Sequence, residues 1–160
     1  TKTGHSYIKS EISKSNAILG GEMSGHIFYN DNWYGFDDGI FAALKLLEIL
    51  SSKESTTHEV FNKFTQLFNT PEIKIAVEDD EKFEIVEQLK VKLKPEGYNS
   101  ILIDGLRLEN KDCWGLVRAS NTTPSLILRF EANTEQKLME IQELFQKTLL
   151  EISTNLKFLN

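Results

Sequence analysis

Two short polar segments hold most of the residues in this chain that could do chemistry. The first runs Gly20-Gly21-Glu22-Met23-Ser24-Gly25-His26, just ahead of the apolar Ile27-Phe28-Tyr29. Its glycines let backbone come close to a ligand. Glu22 can accept hydrogen bonds from a pair of sugar hydroxyls, Ser24 and His26 can donate to a sugar or its phosphate, and an imidazole suits proton traffic around a phosphoryl group. The same spacing also suits a tight turn with a satisfied surface histidine. The second segment is Arg118-Ala119-Ser120-Asn121-Thr122-Thr123-Pro124. Arg118 offers a planar fork matched to phosphate, and Ser120, Asn121 and Thr122 add side-chain and backbone donors that could form an anion-binding nest. A plain β-hairpin uses these residue types too, so composition alone leaves both readings open.

The other reactive side chains point nowhere so definite. His5 sits in a loop-like Gly-His-Ser context, and His58 lies at a helix start with no site around it. Cys113 is the one cysteine, which excludes an internal disulfide, fits a reducing cytoplasm and reads as a small buried hydrophobe beside Trp114. No His/Cys/Asp/Glu cluster has metal-ligand spacing, and Asp37-Asp38 and Asp79-Asp80 read as solvated helix beginnings. A Walker loop and a nucleophile elbow are both lacking. The net charge of −6 carries no basic stripe, which argues against nucleic acid as a partner. No apolar run approaches the roughly 20 residues that span a bilayer, so a membrane is not an expected partner either.

The elements that must position the two segments follow from hydrophobic period. With 40% hydrophobic and 26% charged residues, 160 residues can bury a real core. Residues 7–19 suit a short helix, or a polar connection followed by a short strand. Asp37-Asp38 caps a helix whose Ile40, Phe41, Leu44, Leu47 and Leu50 share one face. A second helix is expected from Thr56-Thr57, with Val60, Phe61, Phe64, Leu67 and Phe68 turned inward. Asn69-Thr70-Pro71 breaks it, and the domain boundary is placed there, with Thr70-Pro71 near a hinge. Beyond it, Ile73, Ile75 and Val77 alternate as a strand, and Phe83, Val86, Leu89 and Leu93 form a helix stripe with Ile85 at its edge. Strands at 100–103, 114–118 and 126–130 follow, with a turn at Asp104-Gly105. The last helix starts near Asn133-Thr134 and aligns Leu138, Ile141, Leu144, Phe145, Leu149 and Ile152. The second half thus reads β-α-β-β-β-α, with helices on one side of a small open sheet.

Four ordered stretches resemble one family: Thr3-Gly4-His5-Ser6-Tyr7-Ile8-Lys9, Gly21-Glu22-Met23-Ser24-Gly25-His26-Ile27-Phe28, Trp33-Tyr34-Gly35-Phe36-Asp37-Asp38-Gly39 and Arg118 to Pro124. The series is similar to the α-D-phosphohexomutase superfamily, in its bacterial phosphomannomutase/phosphoglucomutase branch. Members have four domains around a cleft. The resemblance implies that residues 1–69 are the later part of the α/β third domain, and that 70–160 are the fourth domain, a small α+β unit with an open, mostly antiparallel sheet and two helices packed on it. It also assigns His5, Glu22, Met23, Ser24, Gly25 and His26 to the sugar, and Arg118, Ala119, Ser120, Asn121 and Thr122 to its phosphate.

The implied reaction interconverts hexose 1-phosphate and hexose 6-phosphate, of mannose or glucose, through a phosphoserine and a bisphosphorylated sugar. Mg²⁺ neutralises charge at the phosphoserine in such enzymes. Neither the phosphoserine loop nor the aspartate-rich metal loop is found in this sequence, which starts at Thr1 without an initiator Met. The chain is therefore expected to lack the catalytic residue and the metal, to need the missing N-terminal domains, and to be inactive alone. The alternatives are a non-enzymatic phosphosugar-binding module, or part of a phosphoglucosamine mutase, against which Met23 argues.

Overall fold

The computed structural model describes residues 1–158. The chain forms two compact units, Thr1–Thr65 and Gln66–Asn160. No helix among the described residues is long and apolar enough to cross a membrane.

In the first unit, helix α1 (His5–Ser15) precedes a hairpin of β1 (Leu19–Gly21) and β2 (Ile27–Tyr29), paired antiparallel from Leu19↔Tyr29 to Gly21↔Ile27. The buried core is small: Ile8 and Ile12 of α1 pack on Phe28. Helix α2 (Gly39–Ser51) is capped by Asp38, whose Oδ1 accepts from the Phe41 N–H at 2.9 Å. It is held to the hairpin at its start, where Phe41 stacks on Trp33 at 4.1 Å and meets Tyr29 edge-on at 5.5 Å. The rest of its apolar stripe finds no cover. Ile40 is 79% exposed, Leu44 58% and Leu47 61%, and no residue of α2 is buried. Period predicts a face, but only a second surface buries it. The helix expected from Thr56 also stops early. A capping box between Thr56 and Glu59 starts α3 (Thr57–Phe61), yet Phe61, Phe64 and Leu67 remain exposed, and Phe68 leaves the helical path for a strand.

The second unit is a six-stranded, wholly antiparallel sheet: β3 (Phe68–Asn69), β4 (Ile73–Ala76), β5 (Asn99–Ile101), β6 (Leu106–Glu109), β7 (Cys113–Ala119) and β8 (Ser125–Ala132). The order is β3-β8-β7-β6-β5, with β4 also on β8. Helices α4 (Glu81–Lys92) and α5 (Glu135–Ile152) cover one face of it, burying Leu89, Ile141, Phe145 and Leu149 against Leu106, Val117, Leu128 and Phe130. Thr134 caps α5 through its side chain, with Oγ1 accepting from Lys137 N–H. Besides β3, which takes Phe68 from the expected helix, β6 joins the sheet where no strand is expected, and Leu106-Arg107-Leu108-Glu109 alternates buried and half-buried. The α4 stripe departs at its first position only: Val86, Leu89 and Leu93 are buried with Ile85 beside them, but Phe83 is 56% exposed and Lys82 is buried in its place. Thr70 is bonded to the second unit's sheet. It is buried, donates its N–H to Phe130 O and accepts the Phe130 N–H on Oγ1, so it is stitched to β8.

Candidate functional site

The first segment becomes the tip of the β1–β2 hairpin. Glu22 N–H donates to His26 O and Gly25 N–H to Glu22 O, closing a turn in which Gly25 takes φ +92, a value that L side chains resist. Met23, Ser24 and Gly25 are exposed at the tip. Glu22 is partly covered because its Oε1 accepts the Gly4 N–H at 2.9 Å, which ties the hairpin to the start of α1. That bond brings the next residue, His5, to the same corner, with its ring 6.0 Å from Phe28. Among the described residues Oε2 of Glu22 has no hydrogen-bond partner, so it could accept from a hydroxyl.

Asp37 meets His26. Its Oδ2 lies 2.5 Å from His26 Nδ1, and a β-bridge to Phe28 fixes the backbone of Asp37 beside β2. The contact orients the imidazole, whose side chain is 52% exposed, and leaves Nε2 as the nitrogen that could meet a ligand. Asp37 is thus not simply a solvated helix beginning; that description suits Asp38, which caps α2 and accepts from Trp33 Nε1. The sequence signal for Asp37 lay in the Trp33–Gly39 stretch, where nothing in the spacing distinguishes a cap from a histidine partner.

The second segment closes the hairpin between β7 and β8. Alternation along β7 puts Ala119 into the core, at 8% exposure, and Arg118 on the opposite face of the sheet. Among the described residues the Arg118 guanidinium has no hydrogen-bond or ion-pair partner. Ser120 turns inward and organises the turn. Its Oγ accepts from the Thr122 N–H at 3.3 Å, the Thr123 N–H at 3.1 Å and the Thr123 hydroxyl at 2.8 Å. Two N–H groups read from the sequence as part of a nest are therefore already used. The Asn121 N–H remains without a partner among the described residues, and the Asn121 and Thr122 side chains are exposed. A guanidinium and an N–H without partners among the described residues, beside an exposed amide and an exposed hydroxyl, bring several donors together, the chemistry an oxyanion needs.

His58 and Cys113 have other partners. His58 is paired with Asn62 within α3 and its cap. Cys113 is buried, with its Sγ 3.6 Å from Tyr98 Oη and 3.5 Å from Asn110 Oδ1. Burial, and then the thiol beside it, push the Tyr98 hydroxyl up to about 12. No group of three His, Cys, Asp or Glu side chains among the described residues could hold a metal ion. Asp37, Asp38 and Asp79 already spend oxygens on His26, on Trp33 and Phe41, and on Lys82. This donor set does not fit Mg²⁺.

Comparison with known proteins puts both loops in a family setting. The model of "Phosphoglucomutase/phosphomannomutase, alpha/beta/alpha domain III" matches residues 1–68, and that of "Phosphoglucomutase/phosphomannomutase, C-terminal domain" matches 72–147. The phosphomannomutase/phosphoglucomutase of Pseudomonas aeruginosa is 47% identical over 155 residues, 97% of this chain and 34% of its own length. A phosphoglucomutase of Neisseria meningitidis is 48% identical over 97% of this chain and 34% of its own. A probable phosphoglucosamine mutase of Methanosarcina acetivorans is more distant, at 33% identity over 94% of the chain. A solved phosphoglucomutase/phosphomannomutase family protein of Burkholderia thailandensis superposes with a TM-score of 0.88 at 38% identity, covering 98% of this chain and 33% of that one. The chain spans about a third of the length of the curated relatives it matches. With two family models covering nearly all of it, the chain belongs to the phosphoglucomutase/phosphomannomutase family.

Proposed function

We propose that this chain supplies the sugar-reading and phosphate-holding loops of a phosphohexomutase acting on mannose or glucose 1- and 6-phosphates. Residues 1–69 serve as third-domain sequence and 70–160 as the fourth domain. Glu22 accepts from sugar hydroxyls through its unoccupied oxygen, and His26 presents Nε2. His5 and the exposed Met23-Ser24-Gly25 tip complete the sugar side. On the phosphate side, Arg118 forms the charged fork and Asn121 and Thr122 add donors, while Ala119 and Ser120 hold the turn. Higher identity to the phosphomannomutase/phosphoglucomutase relatives than to the phosphoglucosamine mutase supports the hexose branch.

The observation that carries this reading is the unpaired Arg118 guanidinium next to the self-braced Ser120–Thr123 turn. A guanidinium with several donors beside it matches a phosphate in charge and in hydrogen-bonding geometry. The family's phosphoserine, the Mg²⁺ beside it and the rest of the machinery come, in this reading, from polypeptide outside these 160 residues. The same polypeptide would cover the bare stripe of α2. No catalytic step is assigned to the chain by itself, and its cellular setting is taken to be the cytoplasm, where hexose phosphates occur.

Titration of the ¹⁵N-labelled chain with mannose 6-phosphate tests the reading. Amide shifts centred on Arg118 to Thr122 are expected, and saturation without shifts there would remove the phosphate assignment. A parallel assay of mannose 1-phosphate/6-phosphate interconversion, with Mg²⁺ and glucose 1,6-bisphosphate, should give no turnover above background. Turnover would show that the chain carries a catalytic group that this reading lacks.

A further inference from the structure

The start of α4 carries a buried charge where its sequence pattern offered a phenyl ring. Lys82 is 4% exposed while Phe83, the next residue, is 56% exposed. Burying an ammonium costs free energy unless it is paired and hydrogen-bonded, so its partners show what the burial achieves. Lys82 Nζ donates to Asp79 Oδ1 at 2.6 Å and to the carbonyl oxygen of Thr123 at 3.3 Å, and lies 5.1 Å from the centroid of the Phe83 ring. Thr123 lies in the hairpin turn that follows Arg118. Its carbonyl also accepts the Ser125 N–H at 2.9 Å, and the neighbouring Pro124 carbonyl accepts the Val77 N–H at 3.1 Å. Val77, just after β4, and Lys82, in the first turn of α4, therefore grip the back of the turn by two bonds, one of them from a cation.

We propose that Lys82 is a positioning residue for anion binding at the Arg118–Thr123 turn. The inference rests on the phosphate reading given above and names a residue that reading does not contain. The ammonium fixes the Thr123 carbonyl on the inner side of the turn. Thr123 in turn gives its N–H and hydroxyl to Ser120 Oγ, so the fixed carbonyl keeps the Ser120-centred bonds closed and Asn121 and Thr122 outward. The Lys82 side chain is 5% exposed and the Asp79 side chain 74%, so the cation is held against the turn while its counterion stays in water.

The test uses the whole chain, with inorganic phosphate as the probe and the amide shifts of Arg118 to Thr123 as the readout. Lys82→Met keeps the apolar stem and removes charge and donors. It should weaken phosphate binding about five-fold or more, and should shift the Thr122 and Thr123 amides before phosphate is added. Val86→Ala, at a buried site on the same helix away from the turn, lowers stability but should leave phosphate affinity within about two-fold. Should Lys82→Met fail to fold, Lys82→Gln takes its place, retaining a donor without the charge, with an expected loss of about two-fold or more. Phosphate binding as tight as wild type in the Lys82 variant, or an equal loss in Val86→Ala, would overturn the role of Lys82 while leaving the phosphate site standing. No shifts in the wild-type chain would overturn both.

Discussion

Replacing Gly105 with alanine should damage the turn proposed to hold phosphate, although Arg118 lies 13 residues further along the sequence. Gly105 ends the β5–β6 turn with φ +84, and the pairing of Leu106 with Val117 sets it opposite Arg118. A Cβ built there would fall well inside contact with the Val117 carbonyl oxygen, 2.7 Å from Arg118 Cα and 2.8 Å from Arg118 Cβ. Those atoms are backbone or next to it, so β7 has to move at the residue proposed to hold phosphate. Two costs add. The left-handed conformation costs an L-residue about 1–2 kcal/mol, and forcing extra volume against a packed strand costs about 1–3 kcal/mol more. Gly97 separates them: its φ is +82, but a Cβ there meets nothing within 4 Å. Gly97→Ala should therefore show only the first cost, and Gly105→Ala both, a total of roughly 2–5 kcal/mol.

Urea unfolding followed on the Trp114 indole signal reports on the second unit, since Trp114 lies in β7. The same samples titrated with mannose 6-phosphate should show weakened binding for Gly105→Ala and near wild-type binding for Gly97→Ala. Equal destabilisation of the two variants, within about 0.5 kcal/mol, would refute the claim that close approach to Arg118 is what requires glycine.

Three further outcomes follow from particular contacts. Asp37→Asn should leave the fold intact but free the His26 ring, read as a shift in its Nδ1/Nε2 tautomer balance by ¹⁵N NMR and as a sugar-side shift weaker than wild type; an unchanged tautomer pattern would remove Asp37 from the site. The Tyr98 hydroxyl ionises near 12 in the folded chain, against 10.0 when exposed. A raised folded-state value means stability is complete below pH 10 and is lost as pH rises toward 12, so Tyr98→Phe should unfold less steeply than wild type across that window in pH-dependent denaturation. Ile40, Leu44 and Leu47 are exposed in this chain, so Leu44→Gln should change its stability by no more than about 0.5 kcal/mol. The same change should lower binding of a hydrophobic dye such as ANS; a loss of several kcal/mol would mean that α2 is packed after all.

How much of this was legible in the sequence depends on which force decided each element. α5 was clear because propensity, a Thr134 cap and an apolar stripe agree, and its stripe meets a complete sheet. β6 was legible but missed, since Leu106 and Leu108 alternate with charged Arg107 and Glu109 as a half-buried strand should. The stripe of α2 was also read correctly as a pattern, yet a pattern states only that a face wants burial, and in these residues nothing supplies the other surface. Unit size sharpens the point: Ile8, Ile12 and Phe28 make a core too small to occupy three helices.

The α4 boundary shows a different limit. By period alone Phe83 belongs inside and Lys82 outside, and hydrophobic transfer favours that arrangement by about 2 kcal/mol for the ring. The fold reverses it because Lys82 alone reaches a carbonyl 41 residues away, while Phe83 can lie over the ammonium from the solvent side. No helical window contains that information, since the partner enters only when β8 returns beside β4. The Asp37–His26 contact has the same character across a hairpin. Residue types announced both loops, whereas Lys82 and Asp37, which brace them, lie at positions where a local rule suggested something plainer, a solvated lysine and a helix cap. At such positions a tertiary contact displaces the cheaper local choice.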